Sequence, residues 1–280
     1  MAQSIFIPEL PRFVPPMLAQ PGVPFDSAEH LFEIKWDGTR VLAFVEKGGC
    51  RLVNRHRADV TDRYPELGFF NDLPAGTILD GEVAVLRQGK PDFGLLLSRN
   101  QTRASFRIQF LARILPVTYV VFDLLYDRYE SLLGQPLSTR RKRLEKLIQG
   151  CAHPRLVFSQ GVVGSGKAFF AEICHQGLEG MMAKRLASRY LPGRRTHAWT
   201  KIPCREFVSQ GRRFSRENSH STLPLQPHQS WPIRSRPPSK PKNLCSIPSF
   251  DVKWPNTLWH SRFELTARGD HCIREGSAER

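Results

Sequence analysis

The segment 33–40, Glu-Ile-Lys-Trp-Asp-Gly-Thr-Arg, carries residue types whose order suits a lysine nucleophile. Lys35 follows a short apolar run and precedes an Asp-Gly turn, so its amine should lie at a cleft rather than in open solvent. A lysine amine attacks an electrophile only when it is neutral, and partial desolvation or neighbouring cations favour that state. An isolated Lys-x-Asp-Gly is more often a strand-end lysine that faces water, so the segment alone favours a structural lysine over a nucleophile.

Four further segments follow downstream. They are Leu-Asp-Gly-Glu-Val at 79–83, Tyr-Val-Val-Phe-Asp-Leu-Leu-Tyr at 119–126, Leu-Glu-Gly-Met-Met-Ala-Lys-Arg at 178–185 and Trp-Thr-Lys-Ile at 199–202. In order and spacing the series resembles the motifs of the covalent nucleotidyltransferases, which are ATP-dependent DNA ligases, RNA ligases and mRNA capping enzymes. Segments 13–19 and 54–67 resemble bacterial ATP-dependent ligases of non-homologous end joining. The resemblance covers residues 10–208.

The resemblance implies a role for each matched residue. Lys35 would attack the α-phosphate of ATP, release pyrophosphate and carry AMP through a phosphoramidate bond. Glu33 would read the adenine amino group, Phe122 would stack on the purine and Asp37 would orient the site. An aromatic ring in a buried strand is also typical of plain core packing.

The remaining matches are charged residues that would hold phosphates, ribose or metal. Glu82 and Glu179 would contact the ribose or hold Mg²⁺ or Mn²⁺, as hard oxygen ligands. Arg40 and Arg55 match positions that touch ribose, phosphates or the nucleic acid strand. Lys184 and Lys201 match lysines that neutralise charge on the α-phosphate. Each is also common as a solvated surface charge.

The segment 161–167, Gly-Val-Val-Gly-Ser-Gly-Lys, has the spacing of a phosphate-binding loop. Ala168 stands where such a loop needs Ser or Thr to bind Mg²⁺. We therefore interpret this segment as a Gly-rich turn that opens a helix.

Charge and composition restrict the partners. The net charge of +15 favours a polyanion, because phosphate neutralisation releases counterions, although acidic proteins and membrane surfaces attract the same charge. No run approaches the roughly 18 to 20 apolar residues of a membrane span, and the N-terminus lacks a signal-peptide pattern, so we expect a cytoplasmic protein. We also expect it to be a monomer. The six cysteines form no Cys-x-x-Cys pair, which indicates reduced, structural thiols rather than zinc ligands or disulfides.

The secondary-structure elements that position these side chains are predicted from short apolar runs separated by turn residues. The pattern predicts strands over 31–34, 41–45, 51–53, 77–79, 83–86 and 117–125, with a hairpin turn at Gly48 and Gly49. Helices are predicted over 138–148, after a Ser138 cap and before Gly150, and over 166–176. With the resemblance, these elements imply an α+β adenylation domain at 1–205, built of two antiparallel sheets flanked by helices.

Residues 206–280 differ in composition from the rest. They are rich in Ser, Pro and Arg, and their 12 Lys and Arg against 7 Asp and Glu supply +5 of the net charge. Such a segment buries too little apolar surface to offset its ordering entropy, so we predict a disordered tail. Pro203 occupies the position of a second phosphate lysine of the family, and no oligonucleotide-binding barrel follows. We hypothesise a frame shift near Arg205, which translating the other two frames would test.

The leading functional hypothesis is a DNA ligase that joins a 3′-hydroxyl to a 5′-phosphate through a lysyl-AMP intermediate. Its expected partners are nicked or broken double-stranded DNA and a DNA-end-binding repair protein. An RNA ligase or capping enzyme would use the same lysine chemistry. A degenerate domain that binds nucleotide or nicked DNA without turnover is the alternative outside the enzymes, and Pro203 and the missing barrel support it.

Overall fold

The computed structural model describes residues 8–204. Its strands are β1 (Leu18–Pro21), β2 (Ser27–Ile34), β3 (Thr39–Glu46), β4 (Gly49–Asn54), β5 (Thr77–Ala84), β6 (Leu86–Arg87), β7 (Lys90–Pro91), β8 (Thr118–Asp127), β9 (Glu130–Ser131), β10 (Leu156–Phe158), β11 (Gly161–Gly164), β12 (Gly180–Arg185) and β13 (Arg195–Pro203). Its helices are α1 (Phe93–Gln101), α2 (Ser105–Ile114), α3 (Leu137–Cys151) and α4 (Gly166–His175), with 3₁₀ turns at Thr61–Arg63 and Pro65–Asp72. Within this part of the chain, no helix has the length and apolar character needed to cross a membrane.

Two sheets carry the architecture, which confirms the predicted fold class. The first has the order β1-β13-β12-β2-β11, and the second has the order β10-β8-β5-β3-β4 with β9 added beside β8. Most neighbouring strands are antiparallel, but each sheet also contains one parallel pair, β1 with β13 and β10 with β8. The strands β6 and β7 form a separate short hairpin.

The chain crosses from one sheet to the other at the predicted nucleophile. Strand β2 lies in the first sheet and β3 in the second, so residues 35–38 bridge the two sheets. The β3–β4 hairpin turns at Gly48 and Gly49, whose φ angles of 97° and 156° suit glycine. A lysine in this connection faces groups from both sheets.

Two apolar cores hold the sheets in place. One lies between the sheets, where Leu42, Phe44 and Ile78 of the second sheet pack with Trp199 and Tyr190. The other covers the opposite face of the second sheet, under Leu144 of α3 and the 3₁₀ segment. The second sheet is thus buried on both faces, which fixes β5 and β8 firmly.

Several predicted boundaries need correction. Helix α3 begins at Leu137 after Pro136, with no side-chain cap, so the Ser138 cap was wrong; it also continues past Gly150 to Cys151. The predicted strands 77–79 and 83–86 are largely one strand, β5. The prediction that a helix opens at Gly166 is confirmed by α4. The predicted disordered tail and the frame-shift hypothesis concern residues outside the described range.

The expectation of reduced thiols is wrong for two cysteines. Cys174, near the end of α4, forms a disulfide with Cys204, at a Cα–Cα distance of 5.6 Å. The pairing of Gly180 with Pro203 brings the end of β13 beside the segment that follows α4. Cys50 and Cys151 are free thiols, and the other two cysteines lie outside the described residues.

We expect the Cys174→Ser variant to be less stable than the wild type. The bond joins residues 30 positions apart, and restricting an unfolded loop of that length contributes about 3 to 4 kcal/mol. Urea unfolding of the oxidised proteins measures the difference. Cys151→Ser is the control, because that thiol is unpaired, and its loss of stability should stay under about 1 kcal/mol. Equal stability of Cys174→Ser and wild type would contradict the expectation.

Candidate active site

Lys35 is held at the junction of the two sheets. Its backbone N–H donates to the carbonyl of Gly180 at 2.8 Å, which fixes the residue beside the start of β12. Its Nζ donates to Oε1 of Glu179, and both side chains remain partly exposed, at 26% and 19%. The predicted nucleophile is therefore reachable from solvent and is paired with a carboxylate that can accept its proton.

Three carboxyl groups surround this lysine. Burial raises the pKa of Glu82 to about 8, although Arg40 and Lys35 act in the opposite direction. Burial also raises the pKa values of Glu179 and Asp37 against the opposing charge of Lys35. Burial disfavours the charged form of these carboxylates, and a nearby cation would stabilise that form. The cluster is therefore suited to bind a cation.

Glu179 offers an unfilled acceptor to such a cation. Its Oε2 is buried and accepts no hydrogen bond, while Oε1 is used by Lys35. A buried acceptor without a donor is costly unless a ligand or ion satisfies it. Glu179 and Glu82 therefore fit the hard oxygen ligands of a divalent ion. No cluster of three or more metal-ligating side chains occurs among residues 8–204, so phosphate or water oxygens would complete the coordination.

Glu33 and Lys184 lie deeper, on the neighbouring strands β2 and β12. They are 1% and 2% exposed, and Lys184 Nζ lies 2.5 Å from Glu33 Oε2. Burial lowers the pKa of Lys184, while the charge of Glu33 opposes that shift. The structure thus places Lys184 against the predicted adenine reader, and its predicted phosphate contact stays a prediction.

An aromatic group lies beside this pair. Phe122 contacts Trp199 edge to face at 6.3 Å between centroids, and Lys184 Nζ lies 4.2 Å from the Phe122 centroid. Phe122 is only partly buried, whereas Trp199 is buried. The partly open ring of Phe122 is consistent with stacking on a planar ligand, as predicted for a purine.

Arg40 points into the protein rather than away from it. Its guanidinium forms two hydrogen bonds with Asp80, at 2.9 and 2.5 Å, and one with the carbonyl of Met17 at 2.7 Å. The hydroxyl of Tyr190 donates to the same carboxylate at 2.7 Å. The Arg40 guanidinium also lies 5.4 Å from the Phe122 centroid. Its predicted contact with the ribose remains a prediction.

Two predicted residues are not drawn into the cluster. Arg55 is exposed in the turn after β4 and donates to the ring of its neighbour His56 at 3.0 Å. Lys201 is exposed on β13, opposite Met182, and acts on Glu179 only through its charge. Both positions suit contacts with a large anionic ligand outside the pocket, and these roles remain predictions.

Sequence reasoning missed Arg141, which contacts two of the predicted site residues. From α3, its guanidinium donates to Glu33 Oε1 at 2.7 Å and to the carbonyls of Phe122 and Ser159 at 3.2 and 2.6 Å. The run Ser-Thr-Arg-Arg-Lys-Arg suggests a solvated basic face. The available signal was helical spacing, because Arg141 lies four residues after Leu137 and three before Leu144, which are both buried.

The loop-like segment 161–167 does not cradle phosphates. Residues Gly161–Gly164 form strand β11, which is hydrogen-bonded to β2, so their backbone groups are not gathered around a ligand. Lys167 is exposed on the first turn of α4. Its backbone N–H is already paired with Asp26, at 2.8 Å.

Gly38 is required where the loop meets β5. A Cβ at this position would lie 2.3 Å from the carbonyl oxygen of Val83 and 2.8 Å from Cγ of Glu82. We expect Gly38→Ala to displace β5 and to lower stability by about 1 to 3 kcal/mol. The AMP adduct predicted for Lys35 should form up to about 100-fold more slowly, because the carboxylates move relative to the amine.

Two measurements check this expectation. Urea unfolding reports the change in stability, and intact mass spectrometry with ATP reports the rate of adduct formation. Gly150→Ala is the control, since its added Cβ meets nothing within 4 Å and lies inside α3. An adduct rate in Gly38→Ala equal to that of the wild type would show that the close contact is not needed.

Comparisons with known proteins agree with this geometry. The model of the ATP dependent DNA ligase domain matches residues 16–202. The SPbeta prophage-derived DNA ligase-like protein LigB of Bacillus subtilis is 33% identical over 192 residues, which cover 68% of this chain and 67% of that protein. The multifunctional non-homologous end joining protein LigD of Pseudomonas aeruginosa is 35% identical over 211 residues, which cover 72% of this chain but 24% of LigD.

Solved structures give the same result. A mycobacterial DNA ligase D complexed with ATP and MES superposes with a TM-score of 0.57 at 35% identity, covering 68% of this chain and 60% of that one. The ligase domain of LigD from M. tuberculosis gives 0.57 at 36% identity, covering 67% and 58%. The matched region contains all five segments with which the sequence resembles the nucleotidyltransferases. The chain therefore belongs to the family of ATP-dependent DNA ligases.

Proposed function

We propose that this chain forms a lysyl-AMP on Lys35 and transfers the AMP to the 5′-phosphate of nicked or broken double-stranded DNA, which it then joins to a 3′-hydroxyl. The observation that carries the proposal is the pairing of Lys35 Nζ with Glu179, at a junction where three carboxyl groups have raised pKa values. A lysine in this setting lies next to its proton acceptor, Glu179, and beside carboxylates that can hold a phosphate-bound cation.

The reaction balances in three steps. The Lys35 ammonium first passes one proton to Glu179 Oε1. The neutral Nζ then attacks the α-phosphorus of ATP, a P–N bond forms, the bond to pyrophosphate breaks, and the second proton released from Nζ goes to the departing pyrophosphate or to solvent. A 5′-phosphate oxygen of DNA then attacks the same phosphorus, so the P–N bond breaks and Lys35 recovers its proton. Finally the 3′-hydroxyl attacks the activated 5′-phosphate and gives up its proton to solvent, an O–P bond forms, the phosphoanhydride bond breaks and AMP leaves. The chain supplies orientation and proton transfer in the first two steps.

We propose Mg²⁺ or Mn²⁺ as the divalent ion. Glu179 Oε2, which accepts no hydrogen bond, and Glu82, with its raised pKa, would hold it. When bound, the ion neutralises charge on phosphate oxygens. Lys201, whose charge acts on Glu179, would support the same neutralisation.

The test is a direct search for the adduct. The full chain is incubated with ATP and Mg²⁺, with Mn²⁺, or with a chelator, and then analysed by intact and peptide mass spectrometry. One AMP on Lys35 that depends on the divalent ion supports the proposal. Sealing of a nicked duplex that carries a 5′-phosphate tests the later steps, with a nicked RNA duplex as the parallel substrate.

The opposite results are equally informative. ATP binding without an adduct under either metal would overturn the proposed covalent chemistry and indicate a nucleotide-binding remnant, with Pro203 as the first position to restore. A GTP adduct formed in preference to the ATP adduct would instead indicate a capping-type enzyme. Sealing of RNA alone would indicate an RNA ligase.

We further propose that the chain acts as a cytoplasmic monomer recruited by a DNA-end-binding repair protein. The excess of positive charge supports a DNA partner, and the similarity to a protein named for non-homologous end joining supports recruitment to broken ends. Light scattering after gel filtration measures the monomer. Retention of DNA-bound protein at rising salt measures the electrostatic share of binding.

A further inference from the structure

Arg141 connects three separate segments at the predicted base-binding end of the site. Its Nη1 donates to Glu33 Oε1 on β2 and to the carbonyl of Phe122 on β8, and its Nη2 donates to the carbonyl of Ser159 after β10. Its side chain is 10% exposed, and the guanidinium lies 4.1 Å from the Phe158 centroid. A planar guanidinium with several donors in fixed directions sets the relative positions of all three acceptors.

These acceptors belong to different sheets. Glu33 lies in the first sheet and Phe122 in the second, so one side chain spans the space between the carboxylate and the ring. Ser159 extends the connection, because its hydroxyl accepts a hydrogen bond at 3.1 Å from Trp36 Nε1, next to the nucleophile. A change at Arg141 should therefore alter the distance between Glu33 and Phe122 directly. It should affect the position of Lys35 less, because Arg141 reaches that segment only through Ser159 and Trp36.

The carboxylate of Glu33 still has capacity for a ligand. Arg141 occupies Oε1, whereas the buried Oε2 is ion-paired with Lys184 Nζ at 2.5 Å and keeps a second lone pair for another donor. A purine 6-amino group is a donor and can use that second lone pair of Oε2. A 6-oxo group is an acceptor, and its lone pairs would face a buried carboxylate, which is unfavourable.

We propose that Arg141 is a positioning residue that sets base selection, by holding Glu33 so that Oε2 accepts from a 6-aminopurine while the ring of Phe122 stays at stacking distance. This inference rests on the proposed function, because it assigns the base end of the same nucleotide site. The role assigned to Arg141 is indirect: three of its five N–H donors hold Glu33, Phe122 and Ser159, and it acts on the nucleotide through them.

The experiment compares Arg141→Lys with Arg140→Lys. Both arginines are buried on α3, but Arg140 donates to Asp123 and to the carbonyls of Gln135 and Ser188 instead. Adduct formation is followed at several concentrations of ATP and of GTP, which carries the 6-oxo group. A lysine keeps the charge at position 141 but cannot bridge three acceptors in one plane.

We expect Arg141→Lys to raise the KM for ATP and to leave kcat for adduct formation within about threefold, because the base site and not the reacting group is disturbed. The ratio of kcat/KM for ATP to that for GTP should fall at least about tenfold. Arg140→Lys should lower stability without changing this ratio. If both variants lose stability and neither changes the ratio, Arg141 is only a structural residue and the inference is wrong.

A second variant keeps the test valid if Arg141→Lys does not fold. Glu33→Gln retains shape but removes the charge, so it should also lower the ATP to GTP ratio, and an unchanged ratio would overturn the inference. If the wild type binds nucleotide without forming an adduct, the proposed chemistry fails, and the ratio of Kd values for ATP and GTP replaces the kinetic ratio. If it binds neither nucleotide, both proposals fail.

Discussion

Lys35→Ala is expected to form no AMP adduct under conditions in which the wild type is fully modified. The Nζ atom is the only part of this side chain that can form the P–N bond, so alanine leaves no nucleophile at this position. Lys35→Arg should fail as well, because a guanidinium stays protonated and is a poor nucleophile. Intact mass spectrometry with ATP and a divalent ion measures the adduct, and thermal unfolding shows that the variants remain folded.

Lys167→Ala is the matched control for this loss. If segment 161–167 held the phosphates, removing its lysine would abolish ATP binding. Because β11 is paired with β2 and Lys167 is exposed, we expect this variant to form the adduct at the wild-type rate. An adduct that persists in Lys35→Ala but disappears in Lys167→Ala would contradict the assignment of the nucleophile.

Arg140→Leu is expected to lower the free energy of unfolding by about 3 to 5 kcal/mol. Arg140 and Asp123 are both 0% exposed and form two hydrogen bonds of 2.8 Å. The same guanidinium donates to the carbonyls of Gln135 and Ser188, at 2.6 and 3.1 Å. Leucine would leave the buried Asp123 carboxylate without its cation, with only the Leu124 N–H still donating to it, and would remove the side-chain donor from both carbonyls. Urea unfolding followed by circular dichroism measures the change.

The control comes from the same helix. Arg143 pairs with Glu130 at 2.7 Å, but their side chains are 40% and 56% exposed. Solvent screens such a pair, so Arg143→Leu should cost under about 1 kcal/mol. Equal losses for Arg140→Leu and Arg143→Leu would show that the buried pair contributes no more than a surface pair.

The part of the fold that sequence predicted best surrounds Lys35. The apolar run before it ends as strand β2 at Ile34, and the Asp-Gly turn leads into β3 as expected. The glycines at 48 and 49 form the predicted hairpin because positive φ angles suit glycine there. Local turn chemistry was sufficient at these positions, since no distant contact opposes it.

Helices α1 and α2 were not predicted. In α2 the reason is that most of its large apolar residues are exposed. Phe106, Phe110 and Ile114 are exposed on α2, whereas Ile108 is the buried residue of this helix, so apolar type does not mark the inner face. One local signal was present but overlooked. Asp92 caps α1 by accepting the N–H of Leu95.

Contacts between distant segments account for the rest of the site. The sequence places Glu179 in a motif but gives no reason to expect its ion pair with a lysine 144 positions earlier. Arg141 appears in a basic run that suggests a solvated face, and only packing against β8 and β2 reveals its buried acceptors. The disulfide between Cys174 and Cys204 likewise depends on the pairing of β12 with β13.

Cys204, the last described residue, determines where the polypeptide can be shortened without disturbing the chemistry. Its sulfur is bonded to Cys174, and its N–H donates at 3.0 Å to the carbonyl of Glu179, the residue that holds Lys35. A truncation that ends at Pro203 removes both attachments and frees the segment that carries Glu179. A truncation placed beyond Cys204 keeps them, so the C-terminal boundary of a minimal adenylating fragment lies after this cysteine.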